Sequence, residues 1–581
     1  MSTTGSSSTD ATTRTRDAST PPTPSPKGSA TVAERSPGQQ DRGEGPRALF
    51  RKRFGLITGI VLALAVYFFM PSDLDHMLRG TAAIAVLMAA WWMSEAIPIT
   101  VTALIPLVAF PILGIAELGD FSGQYAAPTI FLFMGGFLLA LGMQRWNLHK
   151  RVALWVLVAM GSSPKMLILG FMIATGFLSM WVSNTATAVM MLPIGVSVLS
   201  LIVGMLREEA KAGNAGPSSS QNDGELSDGA ADMLEADGDV GDDEVGAAGA
   251  DAGESGAGEK TYEHSTDPEP KSNFGIALML GIAYAASIGS LGTIIGTPPN
   301  AMLAAYMAEQ GVNIGFGQWM LVGVPVAVVL MAAAWYLLTG VIFKPEIDHI
   351  PGGRALMKEE LAKLGGMSKG EARVLAVFVV AALSWVFVPV IWPDTMIVDA
   401  VIAMGVGIAL FLIPGGPDGV KLLRWEDALE LPWGVLLLFG GGLALSSQFT
   451  NSGLSDWIGE QLSGLGFLPI VLLVVVVALV VLVLTEFTSN TATAATFLPL
   501  VGAMAIGLGV DQMLLAVPVA LAATSAFMMP VATPPNAIAY GSGYVSMGNM
   551  VRAGIWLNII ALVVVSAAAM TLVGWVFGIV Y

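Results

Sequence analysis

Long apolar runs dominate this chain. Leu56–Met70, Pro128–Met143, Leu321–Phe343, Val374–Ile391 and Ile555–Val580 each reach or approach the ~20 residues that a helix needs to cross a bilayer. Hydrocarbon offers backbone groups no hydrogen-bond partner, so a spanning segment must be a helix or part of a closed barrel. The runs are continuous rather than alternating, which excludes a barrel. The pattern predicts an all-α polytopic membrane protein.

Polar punctuation orders the spans. Basic residues cluster at Arg51-Lys52-Arg53, Arg145–Arg151, Lys344–Arg373 and Lys421–Arg424, and Lys and Arg concentrate in cytoplasmic loops. Placing these clusters inside predicts spans near 56–70, 80–94, 97–114, 128–144, 274–308, 317–343, 374–392, 397–413, 433–449, 513–545 and 553–581. The amino terminus is then cytoplasmic, the carboxyl terminus external, and the membrane the cytoplasmic (inner) one. Two stretches fit no single span. Residues 152–206 must leave and re-enter the cytoplasm, while 466–510 begin and end outside. Each is broken near its middle by polar residues, as in a re-entrant helical hairpin, a geometry tolerated at depth only where protein or a cavity covers the backbone.

Both breaks carry the same hexapeptide. Ser183-Asn184-Thr185-Ala186-Thr187-Ala188 and Ser489-Asn490-Thr491-Ala492-Thr493-Ala494 lie 306 residues apart, as do Gly136 and Gly442 in Phe133-Met134-Gly135-Gly136 and Phe439-Gly440-Gly441-Gly442. Two landmarks with one offset imply an internal duplication. Because the first hairpin enters from inside and the second from outside, the repeats are inverted. A third landmark is Gly296-Thr297-Pro298-Pro299-Asn300, matched by Ala532-Thr533-Pro534-Pro535-Asn536. It follows the motif Asn by 116 residues in the first half and 46 in the second, so the first half holds about 70 extra residues.

Charge explains the excess. The chain carries a formal −17, but Glu208–Lys271 alone holds 18 Asp/Glu against three Lys, a net of −15. This segment reads as a solvated, disordered cytoplasmic insertion, not an acidic binding face. Elsewhere charge is scarce: 12% of residues are charged, against about a quarter in soluble domains. Residues 1–53 form a disordered tail, since Ser, Thr and Pro abound; Asp10, Asp17 and Pro21, Pro22, Pro24 and Pro26 argue against a transit peptide. The remaining parts are the spans of 54–151, the first hairpin (152–206), the insertion (207–272), the helices of 273–343, a cytoplasmic linker (344–373), the spans of 374–465, the second hairpin (466–510) and the helices of 511–581. There are no cysteines, and His76, His149, His264 and His349 fall in predicted loops, so neither thiolate chemistry nor a metal cluster is expected.

The chemistry sits at the breaks. Pro-Pro removes two backbone donors and interrupts a helix, so 274–308 and 513–545 each read as two half-helices around an unwound loop. Broken helices at equivalent places in two halves point to a transporter's binding site. Half-helix N-termini suit an anion, and freed carbonyls a small hard cation. The only charged residue in 152–206 is Lys165; in 273–343 it is Glu309, and in 464–550 they are Glu486 and Asp511. A dianion held without Arg or Lys would be poorly solvated, so bound cations are the natural counter-charge, and hydroxyl, amide and carbonyl oxygens favour Na⁺. Glu486, four residues before Asn490, is the alternative as a proton carrier. An ion channel would need a continuous path rather than a central site between inverted halves. A membrane enzyme finds no Cys, clustered His or paired carboxylates near the breaks.

These motifs resemble those of the divalent anion:sodium symporter family, carriers of di- and tricarboxylates or sulfate, over about 55–206 and 273–581. The resemblance implies a homodimer of 11-span subunits, each with two re-entrant hairpins, whose transport domain moves like an elevator against a scaffold. It further implies one sodium site at Ser179, Ser183, Asn184 and the Gly296 backbone, and another at Thr485, Thr488, Asn490 and the Ala532 backbone. Substrate carboxylates would meet Ser183, Asn184 and Thr185 with Thr297 and Pro298, and Ser489, Asn490 and Thr491 with Thr533 and Pro534. Ser290 departs from the glycine usual after Gly289. The expected function is sodium-coupled symport of C4-dicarboxylates such as succinate, malate or fumarate. The alternatives are a sulfate or citrate carrier and a sodium-independent dicarboxylate exchanger. No cofactor beyond the coupling ion and no nucleic-acid partner is expected; the surrounding partner is membrane lipid.

Overall fold

The computed structural model describes residues 46–161, 163–213, 272–347, 349–350, 353–417, 419–462, 464 and 468–579. Most of the amino-terminal tail and almost all of the acidic insertion therefore lie outside the described residues. The chain divides into two units, 1–49 and 50–581, and the elements below belong to the second, apart from the first turn of α1. The first half runs through α1 (Pro46–Phe69), α2 (His76–Ser94), two short helices (Ile99–Thr102, Ile105–Ile112), α3 (Pro128–Arg145), α4 (Leu148–Met160), α5 (Pro164–Ser179), α6 (Asn184–Gly213), α7 (Asn273–Ser290), α8 (Pro298–Glu309) and α9 (Phe316–Tyr336). The second half runs through α10 (Lys369–Ile391), α11 (Asp399–Leu412), α12 (Trp433–Asn451), α13 (Leu454–Leu462), α14 (Ile470–Thr485), α15 (Asn490–Leu508), α16 (Met513–Thr524), α17 (Pro534–Gly541) and α18 (Met547–Ala568).

Among the described residues, ten helices are long and apolar enough to cross a membrane, and five apolar helices are shorter. The one β feature among them is an isolated bridge between Pro414 and Lys421. An apolar helix covered on all sides belongs at the centre, and one left bare faces lipid or another subunit. The apolar window of α7 is 94% buried, against 17% in the first helix and 22% in α10. Thus α7 forms the axis on which the site is built.

The structure divides the region around 152–206 more finely than hydropathy alone. Asn147 adopts the left-handed conformation (φ 54°), which Asn tolerates better than most residues. The chain reverses there, and α4 starts at Leu148 instead of continuing the predicted loop. His149 is consequently helical and buried, its Nδ1 3.3 Å from the Met143 carbonyl, and burial pushes its imidazole down to about 4. His76 likewise opens α2 rather than lying in a loop.

The two halves interlock. Phe133 of α3 and Phe439 of α12, equivalent by the 306-residue offset, meet edge to face at 5.0 Å. Beside them the glycines let backbones touch. A Cβ on Gly135 would lie 2.4 Å from the Ala403 carbonyl in α11, and one on Gly441 would lie 2.2 Å from the Ala103 carbonyl. Each half therefore inserts a short helix against the Gly-Gly helix of the other. The exchange recurs further on, where α8 packs on α15 and α17 packs on α6.

The basic clusters converge at one end. Arg145 pairs with Asp427, and Trp146 donates to the Leu422 carbonyl at 2.9 Å from a slot floored by Gly370 and Gly415. Arg151, buried, pairs with Glu371 at 2.9 Å and donates to the Gly365 carbonyl at 3.0 Å. Breaking such a buried pair by removing one partner costs about 3–5 kcal/mol, so α4 is firmly moored to the start of α10.

Two glycine substitutions separate packing from helix propensity. Gly441→Ala forces a methyl into backbone and should cost about 1–3 kcal/mol. Gly405→Ala meets open space in α11 and should gain up to about 1 kcal/mol. Thermal unfolding of the purified protein in detergent should show Tm lowered by the first and raised by the second.

Candidate functional site

The Ser-Asn-Thr motifs occupy the tips of two helix pairs. Residues 180–183 join α5 to α6 and 486–489 join α14 to α15, so that Asn184 and Asn490 each begin a helix. All six motif residues are half-buried. Ser183 caps its helix, its Oγ accepting from the Ala186 N–H at 3.2 Å, and Asn184 Oδ1 accepts from the Thr185 N–H at 2.9 Å. Ser489 makes no such side-chain cap, leaving the first N–H groups of α15 free for another acceptor.

Residues just before each tip tie it to a broken helix. Ser179 donates to the Ala286 carbonyl of α7 at 2.5 Å. In the other half Thr485 Oγ1 lies 2.7 Å from the Ala523 carbonyl of α16 and 2.8 Å from Asn490 Oδ1. One hydroxyl proton serves only one of these, so an acceptor lone pair remains at that point. Thr488 bonds to Leu484 and Thr493 instead.

The breaks themselves repeat in detail. Between α7 and α8 the backbone is unwound over Leu291–Thr297, apart from a single 3₁₀ turn, and between α16 and α17 over Ser525–Thr533. Thr297 and Thr533 share one extended conformation (φ −147°, ψ 144°; φ −142°, ψ 147°). Pro298 and Pro534 follow at the first helical position, where a missing N–H costs nothing. Asn300 donates to the Ser290 and Thr293 carbonyls, ten and seven residues back; Asn536 does the same to Ala526 and Met529. Both Asn side chains are fully buried, and both Oδ1 atoms lack a donor among the described residues. Gly296 cannot carry a side chain, since a Cβ would lie 2.3 Å from the Ser290 carbonyl. Ser290 itself fits, bonding back to Ser287 at 2.7 Å.

Glu486 holds the second break. Its carboxylate is 2% exposed and accepts from the N–H groups of Phe527 (2.8 Å), Met528 (3.1 Å) and Met529 (3.0 Å) and from Asn558 Nδ2 (2.6 Å). The equivalent position in the first half is Met180, whose backbone carbonyl accepts from Thr293. Thr297 and Thr524 hydroxyls, 3.5 Å apart, join the two breaks directly.

Thr485 meets Asn490 directly, whereas Ser179 reaches the Ala286 carbonyl of α7 and Thr488 bonds to Leu484 and Thr493 on either side of its tip. Gly296 and Ala532 bond within their loops, to Thr293 and Met529. Sequence reasoning left Asn300 and Asn536 unassigned, although both stand in the repeated Thr-Pro-Pro-Asn motif that signalled them. A small pocket lined by Met302, Tyr306, Phe439, Ser446 and Pro499 contains none of the motif residues. Among the described residues, no three His, Asp or Glu side chains converge to hold a metal.

The model of the family described as the sodium:sulfate symporter transmembrane region matches residues 51–579. The sodium-dependent dicarboxylate transporter SdcS of Staphylococcus aureus strain USA300 is 39% identical over 519 residues, spanning 88% of this chain and 89% of that protein. The same protein from strain NCTC 8325 matches to the same extent. Among solved structures, the Alcanivorax borkumensis YdaH transporter aligns with a TM-score of 0.50 at 14% identity, covering 91% of this chain and 99% of that one, a likeness of fold alone. The chain belongs to the sodium:sulfate symporter family, the divalent anion:sodium symporters.

Proposed function

We propose that this protein imports C4-dicarboxylates such as succinate, malate or fumarate across the cytoplasmic membrane together with Na⁺. The observation that carries the reading is the pair of Ser-Asn-Thr helix N-termini beside two unwound loops, with no basic residue within either tip or break. Helix N-termini offer N–H groups to carboxylates, and the unpartnered oxygens beside them offer ligands to a hard cation. The sodium-dependent dicarboxylate transporter at 39% identity supports the same substrate class.

In this reading Ser183, Asn184 and Thr185 with Thr297 and Pro298 receive one carboxylate; Ser489, Asn490 and Thr491 with Thr533 and Pro534 receive the other. Ser179, Ser183, Asn184 and the Gly296 backbone hold one Na⁺; Thr485, Thr488, Asn490 and the Ala532 backbone hold the second. Residues 152–206 and 466–510 are re-entrant hairpins. With 273–343 and 511–581 they form a transport part that slides as an elevator against a scaffold of 54–151 and 374–465, linked through 344–373, in a homodimer of 11-span subunits. The amino terminus is cytoplasmic and the carboxyl terminus external. More Na⁺ than substrate charges would make uptake electrogenic, adding about 2.3 kcal/mol per net charge per 100 mV. The family description includes sulfate, so sulfate is the reading to exclude.

Labelled succinate uptake into proteoliposomes should require a Na⁺ gradient. Sodium-independent uptake stimulated by internal dicarboxylate would make the protein an exchanger, and competition by sulfate alone would make it a sulfate carrier. Asn184→Ala and Asn490→Ala should each reduce uptake at least about 100-fold, since each strips a ligand and a helix start; near-normal rates in both would refute the site.

Glu486 separates clamp from proton carrier. Its oxygens are taken up by backbone N–H groups and Asn558, as a clamp on the second break requires. Glu486→Ala should strand those donors at about 1–3 kcal/mol each, lower Tm and abolish Na⁺ binding. Glu486→Gln should retain partial uptake with an unchanged pH profile; a profile flattened by that substitution would restore the proton carrier.

A further inference from the structure

Trp181 lies in the turn between α5 and α6, two residues before Ser183, and is only 8% exposed. Its ring stacks on Phe316 at the start of α9 (centroids 5.9 Å, planes 25° apart) and meets Phe378 of α10 edge-on at 4.8 Å. It also lies parallel to Trp385 of α10 at 6.3 Å, and Phe316 stacks on Trp385 at 4.5 Å. Next to the rings, the Phe316 N–H donates to Asp399 Oδ2 at 2.8 Å, and Trp385 Nε1 donates to the Asp399 carbonyl at 3.0 Å. On the partition proposed above, Trp181 and Phe316 move, while Phe378, Trp385 and Asp399 stay with the scaffold. The parting plane runs through the ring cluster.

Two observations separate this cluster from ordinary core. The equivalent residue at the other tip, 306 positions on, is Phe487, and its ring is 64% exposed. A tip of this design therefore folds without seating its aromatic ring, and the burial of Trp181 is supplied by the scaffold. Second, Trp181 Nε1 is buried without a hydrogen-bond partner among the described residues. A stranded indole N–H weakens the seated position and is relieved once the ring leaves. Favourable stacking set against a stranded donor suits a contact that opens and closes.

We propose that this aromatic seat is a latch that holds the transport part in the position seen here and must part in every cycle, setting how fast that position is left. The proposal rests on the elevator reading, and the test separates the two. The chain has no cysteine, so introduced pairs can be bridged selectively. A short bis-methanethiosulfonate should bridge Trp181→Cys/Phe378→Cys and stop Na⁺-driven succinate uptake, with recovery on reduction. Should that variant be inactive before bridging, Phe316→Cys/Trp385→Cys serves in its place. A control pair, Met302→Cys/Gly442→Cys, crosses the same plane where α8 meets α12. If bridging the control stops uptake but bridging the seat does not, the latch is wrong and the sliding stands. If neither bridge stops uptake, the sliding reading fails and the latch with it. Phe378→Leu, which keeps an apolar side chain but removes one ring pair, should raise turnover about 2- to 10-fold, with equilibrium Na⁺ and succinate binding unchanged. Turnover that stays level or falls while binding is intact would overturn the rate-setting role.

Discussion

Unwound backbone inside an apolar interior must find partners within the protein, and the rest of this structure depends on how it does so. An unpaired peptide group in hydrocarbon costs several kcal/mol, so two interrupted helices are tenable only if side chains replace the lost ladder. Asn300 and Asn536 do this with matching reach, each tying carbonyls ten and seven residues behind it. Trp319 adds a bond to the Leu291 carbonyl at 3.1 Å, and Glu486 gathers the N–H groups of the second loop. Only with these partners in place can α8 and α17 begin afresh in mid-protein.

Reciprocal packing makes that solution rigid. Each half lends a helix to the other at the Gly-Gly contacts and again at the breaks, where α8 lies on α15 and α17 on α6. Neither break is therefore braced by its own repeat alone. A helix start from one half lies against the tip-bearing arm of the other, and the Thr297–Thr524 contact joins the two loops. On the inverted arrangement proposed above, a twofold axis in the membrane plane would bring equivalent segments face to face in this way. Phe133 against Phe439 is one such pair of equivalent residues in contact.

Helix breaks, tips and duplication were legible because each rests on local chemistry: Pro-Pro at 298–299 and 534–535, an N-cap serine before each motif Asn, and one shared offset. The helical class followed from unbroken apolar runs. What escaped reading was set by tertiary neighbours. Nothing in the spacing of Asn300 and Asn536 says that their amides turn back onto the preceding loop. From sequence Glu486 reads only as an alternative proton carrier, and its part as a clamp emerges from the four donors found around it. The loop expected at His149 became helix because Asn147 takes a left-handed turn, a choice that Asn permits but does not announce. The Trp181 seat draws on three elements separated by up to about 200 residues, and no periodicity links them.

Where the halves differ is as informative as where they match. Within the tips the offset pairs Met180 with Glu486, Trp181 with Phe487 and Val182 with Thr488, three consecutive differences directly before the shared Ser-Asn-Thr. The missing hydroxyl at Val182 leaves Thr187 Oγ1 without a partner among the described residues, while its equivalent, Thr493, bonds to Thr488 at 2.8 Å. The second tip is held by a carboxylate and exposes its ring; the first is held through a backbone carbonyl and seats its ring on the scaffold. Two identical halves related by an in-plane axis would make the two end positions of a sliding transport part equal in energy. Divergence at the tips lifts that equality, and 1.4 kcal/mol already shifts a two-state population tenfold. On the proposed reading, keeping the oxygen-bearing Ser-Asn-Thr residues identical while varying the three residues before them would separate what is bound from where the protein rests while binding it.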